Sequence, residues 1–194
     1  AEAKIKLADM RSGRMSDDDW TKLARRMSEI SEAPLYIDDS PNLTMMEIRA
    51  KARRLKQKAD LRLIVIDYLQ LMQGSGRNDG NRVQEVSEIS RGLKLIAREL
   101  NVPVIALSQL SRTVENRSPQ IPQLADLRES GSIEQDADIV MFIYREAYYN
   151  PETERENITD LIIAKHRNGP VGKVELYFHP ERLRFMSLDR QHDS

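Results

Sequence analysis

The chain has 194 residues, with 30 Lys and Arg against 31 Asp and Glu, no Cys, 40% hydrophobic and 5% aromatic residues. That balance suits one soluble globular domain and excludes disulfide scaffolds and Cys-ligated zinc. The longest uncharged apolar runs, Leu63 to Ile66 and Ile139 to Ile143, fall far short of the ~20 residues that cross a bilayer, and no secretory segment opens the chain. A cytoplasmic location without membrane attachment is the expectation. A formal charge of -1 argues against a broadly basic nucleic-acid binder, so any DNA site must be local.

Ser16-Asp17-Asp18-Asp19 places a hydroxyl and three acids where free N–H groups and the helix dipole favour them, predicting a helix from about Asp17 that ends before Pro34. Leu35-Tyr36-Ile37 reads as a short strand. Thr44-Met45-Met46-Glu47 has capping-box spacing and opens a helix from about Met45 to Lys58. On it Ile48, Ala52, Leu55 and Ala59 share one face, while Arg49, Lys51, Arg53, Arg54, Lys56 and Lys58 form either a solvated surface or a partner patch. Leu61 to Ile66 is nearly continuous aliphatic sequence, the composition of a parallel strand buried on both sides. Gly74, Gly76 and Gly80 mark a loop.

Val86, Ile89, Leu93, Ile96 and Leu100 recur at helical spacing between Arg82 and Leu100. Gly92 within that helix costs ~1 kcal/mol against Ala, which points to close backbone packing. Val102 to Leu107 and Ile139 to Ile143 are two more buried strands. Thr159 to Lys165 and Lys173 to Phe178 form a hairpin around Arg167-Asn168-Gly169-Pro170. Strands that alternate with helices and then pair locally predict an α/β domain whose mainly parallel sheet ends in antiparallel strands.

Asp67 closes the first buried strand at its carboxyl end, the edge where open α/β sheets bind ligands, and can hold Mg²⁺ or cap the next helix. Ser108-Gln109 closes the neighbouring strand and would bring an amide to the same edge. An acid beside a polar sensor suits a nucleotide-hydrolysing motor, where the Gln reads the terminal phosphate or positions water. Lys165 and Arg167, two apart on an extended strand, project to one side and converge on one target.

Four blocks then carry a resemblance: Ile64-Val65-Ile66-Asp67-Tyr68-Leu69-Gln70-Leu71, Ser108-Gln109-Leu110-Ser111-Arg112, the stretch from Asp126 to Asp138, and Ala164-Lys165-His166-Arg167-Asn168-Gly169-Pro170. In that order and spacing they resemble the motor domain of the DnaB-type replicative DNA helicases, members of the RecA-like ATPase class, over essentially residues 1–194. The resemblance implies a hexameric helicase that moves 5′ to 3′ on single-stranded DNA using ATP and Mg²⁺, with primase and a helicase loader as partners. It makes Asp67 the Walker B acid, Gln109 the sensor, Arg167 an arginine finger reaching the next subunit and Lys165 its companion on the same phosphate. Arg128, Glu129 and Gly131 become the loop that follows the DNA backbone; read without the resemblance, that stretch is a loop and cap in which Ser130 or Ser132 starts a helix containing Glu134. His166 points the opposite way and reads as structural.

A phosphate-cradling loop needs Gly-x-x-x-x-Gly-Lys-Ser/Thr. Only Gly172 precedes a Lys, and Val174 follows where a hydroxyl is required. In the family this Walker A loop, the water-activating Glu and an amino-terminal assembly domain precede the segment matching Ala1 to Gly13. The chain therefore reads as the carboxyl-terminal part of one motor domain, inactive alone, with apolar sheet edges that invite association. Two other readings are a non-catalytic binding or assembly module that has lost its ATP site, and a RecA-like recombinase or circadian-type ATPase. The blocks from Asp126 to Asp138 and from Lys165 to Pro170 fit the helicases better.

Overall fold

In the computed structural model, which describes residues 3–73, 82–127 and 131–188, two of the described α-helices begin at capping boxes. After a short helix, α1 (Leu7–Ser12), closed by Gly13 at φ +69°, comes α2 (Asp17–Ser31). Ser16 accepts from the Asp19 N–H while the Asp19 carboxylate accepts from the Ser16 N–H at 3.3 Å, so two otherwise orphaned donors are satisfied. Thr44 and Glu47 repeat the arrangement at the start of α3 (Met45–Ala59). The remaining described α-helices and strands are β1 (Ile64–Ile66), α4 (Arg82–Leu100), β2 (Val104–Ala106), α5 (Gly131–Asp136), β3 (Ile139–Tyr144), β4 (Ile158–His166), β5 (Gly172–His179) and β6 (Arg184–Ser187).

The chain divides into two compact units. One comprises Asp38–Phe142 and Ile163–Val171; the other comprises Ala1–Ile37, Ile143–Ile162 and Gly172–Ser194. In the first, β1 and β2 pair in parallel with Ile64 opposite Val104 and Ile66 opposite Ala106. The core gathers Leu69, Met72, Ile89 and Leu93, with Met45, Ile48, Ile66, Val104 and Ile133 against it. The helical spacing in α4 explains this: Val86, Ile89, Leu93 and Ile96 are buried along one stripe. Gly92 faces α3 closely, since a Cβ there would lie 2.8 Å from Met45 Cε. Arg49 and Arg53 of α3 both pair with Glu99 of α4, and Lys51 pairs with Asp38. The basic surface of α3 is thus partly engaged within the chain, in exposed pairs that add little stability.

The other four strands form one sheet in the order β3, β4, β5, β6. The connection 167–171 is too short for a parallel crossover, so β4 and β5 form the expected hairpin. β5 and β6 are antiparallel, with Phe178 opposite Phe185 and their rings 4.8 Å apart. Asp160 is buried and takes Arg155 at 2.7 Å, and Arg155 also reaches Glu175 at 3.0 Å.

Two expectations need correction. Leu35-Tyr36-Ile37 forms no strand and Ile37 is 81% exposed; a strand is defined by a hydrogen-bonded neighbour, and no described segment pairs with it. The central strands are also not buried on both sides. In β3, Val140, Phe142 and Tyr144 are buried while Ile139, Met141 and Ile143 are exposed, and Val65 and Ile105 of the parallel pair are exposed too. Apolar composition records a preference for burial, whereas alternation along the strand leaves one face uncovered among the described residues. Short elements α1 and β6 carry too few periodic residues to be read from sequence.

Between Gln109 and α5 the chain is pinned by Asp126. Its buried carboxylate accepts from Arg117 Nη2 at 2.8 Å and from the Gln123 N–H at 2.7 Å, and its carbonyl accepts from the Ser111 N–H at 2.8 Å. The Arg117 hydrogen bond, ahead of the opposing cost of burial, holds the Asp126 carboxyl below its ordinary value. A depressed carboxyl contributes stability that is present above its unfolded value and lost as pH falls through the folded one. Thermal unfolding followed below about pH 4 is therefore expected to show Tm falling with acid, and Asp126→Asn to lower Tm at neutral pH while weakening that dependence. An unchanged acid limb in the variant removes Asp126 as its source.

Candidate functional site

The carboxyl edge of the parallel pair brings the predicted acid and amide together. Beyond the strands the backbone bonding continues, with Leu107 N–H donating to the Ile66 carbonyl and Leu69 N–H to the Leu107 carbonyl, both at 2.9 Å. Asp67 and Ser108-Gln109 therefore leave adjoining strands at one edge. Asp67 is exposed, its peptide bond to Tyr68 is cis, and its carboxylate pairs with no described residue. The Gln109 side chain is likewise exposed.

Sequence reasoning missed the residue that joins the two strand ends. Gln70 Nε2 donates to Ser108 Oγ at 3.0 Å, and its Oε1 accepts from the Gln109 N–H at 3.2 Å. Arg82, at the start of α4, donates to the Gln70 carbonyl at 2.8 Å. The Gln70 amide thus spends one donor and its acceptor on tying the Ser108-Gln109 segment to the loop that follows Asp67. The signal available was an amide set between two leucines, Leu69 and Leu71.

Lys165 and Arg167 form a second cluster. Lys165 Nζ donates to the Glu134 carbonyl, and Arg167 Nη2 donates to the Gln135 carbonyl at 3.0 Å. Lys165, on β4, and Arg167, the residue just past its end, therefore meet adjacent carbonyls at the end of α5. Arg167 also lies 3.4 Å from Asp138 Oδ1, while Lys94 of α4 donates to Oδ2 of the same carboxylate. An open cavity of about 270 Å³ beside Arg167 is lined by Arg91, Lys94 and Arg98 as well as Asp136. Such a cation-rich concavity attracts phosphate. His166 accepts from the Asn168 N–H at 3.3 Å and packs against Gly169, where a Cβ would come within 2.8 Å of the ring. Its contacts are those of a turn residue.

The acid and amide share no hydrogen bond or ion pair with the two cations among the described residues. Of the loop assigned to DNA, Arg128 and Glu129 lie outside the described residues. Gly131 is the first residue of α5, with open space where a Cβ would stand. Ser132 lies inside that helix, its buried hydroxyl without a partner, and so does not cap it.

Magnesium bound to a nucleotide keeps several waters and takes one or two carboxylates plus phosphate oxygens. A single unpaired Asp67 fits that role. Among the described residues no group of three or more His, Cys, Asp or Glu gathers into an all-protein cage. No described helix is long and apolar enough to cross a membrane.

The family model for the DnaB-like helicase C terminal domain matches residues 1–187. The replicative DNA helicase DnaB of Mycobacterium intracellulare is 64% identical over 98% of this chain and 33% of its own length. That of Geobacillus stearothermophilus is 58% identical over 100% of the chain and 42% of its own. The chain thus spans between a third and a half of these curated relatives. Among solved structures, a DnaB-like replicative helicase described with its interactions with primase superposes with a TM-score of 0.92 at 46% identity, over 97% of this chain and 47% of that one. A second solved chain, an ATPase domain, gives the same score and identity over 67% of its length. With a RecA-like α/β fold and a family match across nearly all of its length, this chain belongs to the DnaB-like helicase C-terminal domains.

Proposed function

We propose that the chain is the carboxyl-terminal motor segment of a hexameric replicative helicase that couples ATP hydrolysis to 5′ to 3′ translocation on single-stranded DNA and unwinds duplex at the fork. The observation that carries this is the division of the site into two groups. Asp67 and Gln109 stand at one strand edge, joined through Gln70. Lys165 and Arg167 share the end of α5. Two groups with no bond between them among the described residues suit a nucleotide held between subunits, with the acid and amide acting in their own protomer and the cations reaching the neighbour's.

When bound, ATP would supply the phosphoryl group and Mg²⁺ the positive charge that offsets the negative charge of its phosphates. Asp67 would hold the metal's waters, Gln109 would sense the terminal phosphate, and Arg167 with Lys165 would stabilise charge on the transferred group. Arg128, Glu129 and Gly131 would follow the DNA backbone, and a few contacts per subunit repeated round a ring concentrate positive charge in the pore of a nearly neutral protein. Primase and a helicase loader are the further partners, in the cytoplasm.

The test compares the longer protein containing this chain with the 194 residues alone. The longer protein is expected to show magnesium-dependent ATP turnover stimulated by single-stranded DNA, and to unwind a fork bearing a 5′ tail. The isolated chain, whose sequence holds no Gly-x-x-x-x-Gly-Lys-Ser/Thr, is expected to do neither. DNA binding and ring assembly without turnover in the longer protein would favour the non-catalytic module instead.

A further inference from the structure

We infer that Asp138, braced by Lys94, is a positioning residue that holds Arg167 ready for the neighbouring subunit's nucleotide. This rests on the trans role proposed for Arg167. Asp138 grips that residue twice, through its carbonyl, which accepts from the Arg167 N–H at 2.8 Å, and through Oδ1, 3.4 Å from Nε. Its other carboxylate oxygen accepts from Lys94 on α4. That helix is fixed in the core by Ile89, Leu93 and Ile96. The base of the arginine and the near side of its guanidinium are therefore referenced to the most deeply buried helix of their unit.

The far side of the group is left for a ligand. Nη2 goes to the Gln135 carbonyl, and Nη1 takes no described partner. Asp138 and Arg167 are each about half exposed, at 54% and 46% of their side chains, so the pair is weak enough to exchange an acceptor for a phosphate oxygen. A long side chain that is already restrained loses less freedom when it engages its target, which is how positioning raises a rate without adding a contact to substrate. Asp138 remains anionic throughout: the Lys94 hydrogen bond first, then the charges of Lys94, Arg167 and Arg98, hold its carboxyl below the ordinary range despite the opposing cost of partial burial.

The experiment uses the longer protein, with steady-state ATP turnover and ring assembly by native mass. Asp138→Asn is expected to lower kcat about tenfold with KM for ATP within about twofold, and to add no further loss to the residual turnover of Arg167→Ala. Lys94→Met is expected to lower kcat about threefold with the same lack of additivity. Full kcat in Asp138→Asn, or an equal tenfold loss in both backgrounds, overturns the inference while leaving the trans role of Arg167 standing. Should Asp138→Asn fail to assemble, full kcat in Lys94→Met overturns it. Unchanged turnover in Arg167→Ala is a separate result, and removes the trans reading itself.

Discussion

Arg167→Ala in the longer protein is expected to lower kcat for ATP by about 10³-fold or more, with ring assembly and DNA binding retained. Arginine fingers in other nucleotide hydrolases contribute ~10³ to 10⁵ in rate, which corresponds to about 4 to 7 kcal/mol of transition-state stabilisation. The structure gives reason to expect the effect in kcat and little in folding. Arg167 is half exposed, and its bonds within the chain are one carbonyl and one exposed carboxylate, contacts of small net stability. A side chain so lightly used by its own fold can be removed cheaply, so a large loss of turnover would report charge delivered elsewhere. Turnover in phosphate-release assays within a few-fold of the parent would leave the cation pair as a local tie between β4 and α5.

The longer helices, α2, α3 and α4, were readable because their determinants are local. Ser16 with Asp19 and Thr44 with Glu47 close capping boxes within four residues, and α4 repeats its apolar stripe from Val86 to Ile96. Strand existence was less secure. Leu35-Tyr36-Ile37 has strand composition, but pairing is a property of two segments, and no described segment pairs with it. β6 was invisible for the converse reason: four residues carry little pattern, and Phe185 gains its place only by facing Phe178.

The site divides in the same way. That Asp67 and Gln109 end neighbouring strands follows from two apolar runs, whereas Lys165, on β4, and Arg167, just past its end, meet neighbouring carbonyls of α5. Gln70, Arg117 with Asp126, and Asp138 with Lys94 were not assigned roles because each acts through a specific hydrogen bond made in three dimensions. The Lys94 to Asp138 contact spans 44 residues of sequence. No periodicity announces such a pair.

Asp67→Asn should be nearly as damaging as loss of Arg167, through the opposite half of the site. The carboxylate is exposed and pairs with no described residue, so replacing it by an amide removes a negative charge without breaking a structural contact. A metal ion on a transferring phosphoryl group is worth several kcal/mol of charge stabilisation, and losing one of its anionic anchors is expected to cost about 10²-fold or more in kcat, with the magnesium dependence moved to higher concentration. The two variants also test each other. In a ring built by a repeated head-to-tail contact, a protomer carrying Arg167→Ala keeps its own Asp67, and one carrying Asp67→Asn keeps its own Arg167. Mixing them restores a complete site wherever the first presents its nucleotide to the second, about one junction in four of a random mixture. Turnover should therefore reappear on mixing two nearly inactive proteins. If all four residues served one protomer's own nucleotide, every site in the mixed ring would lack a part, and mixing would recover nothing.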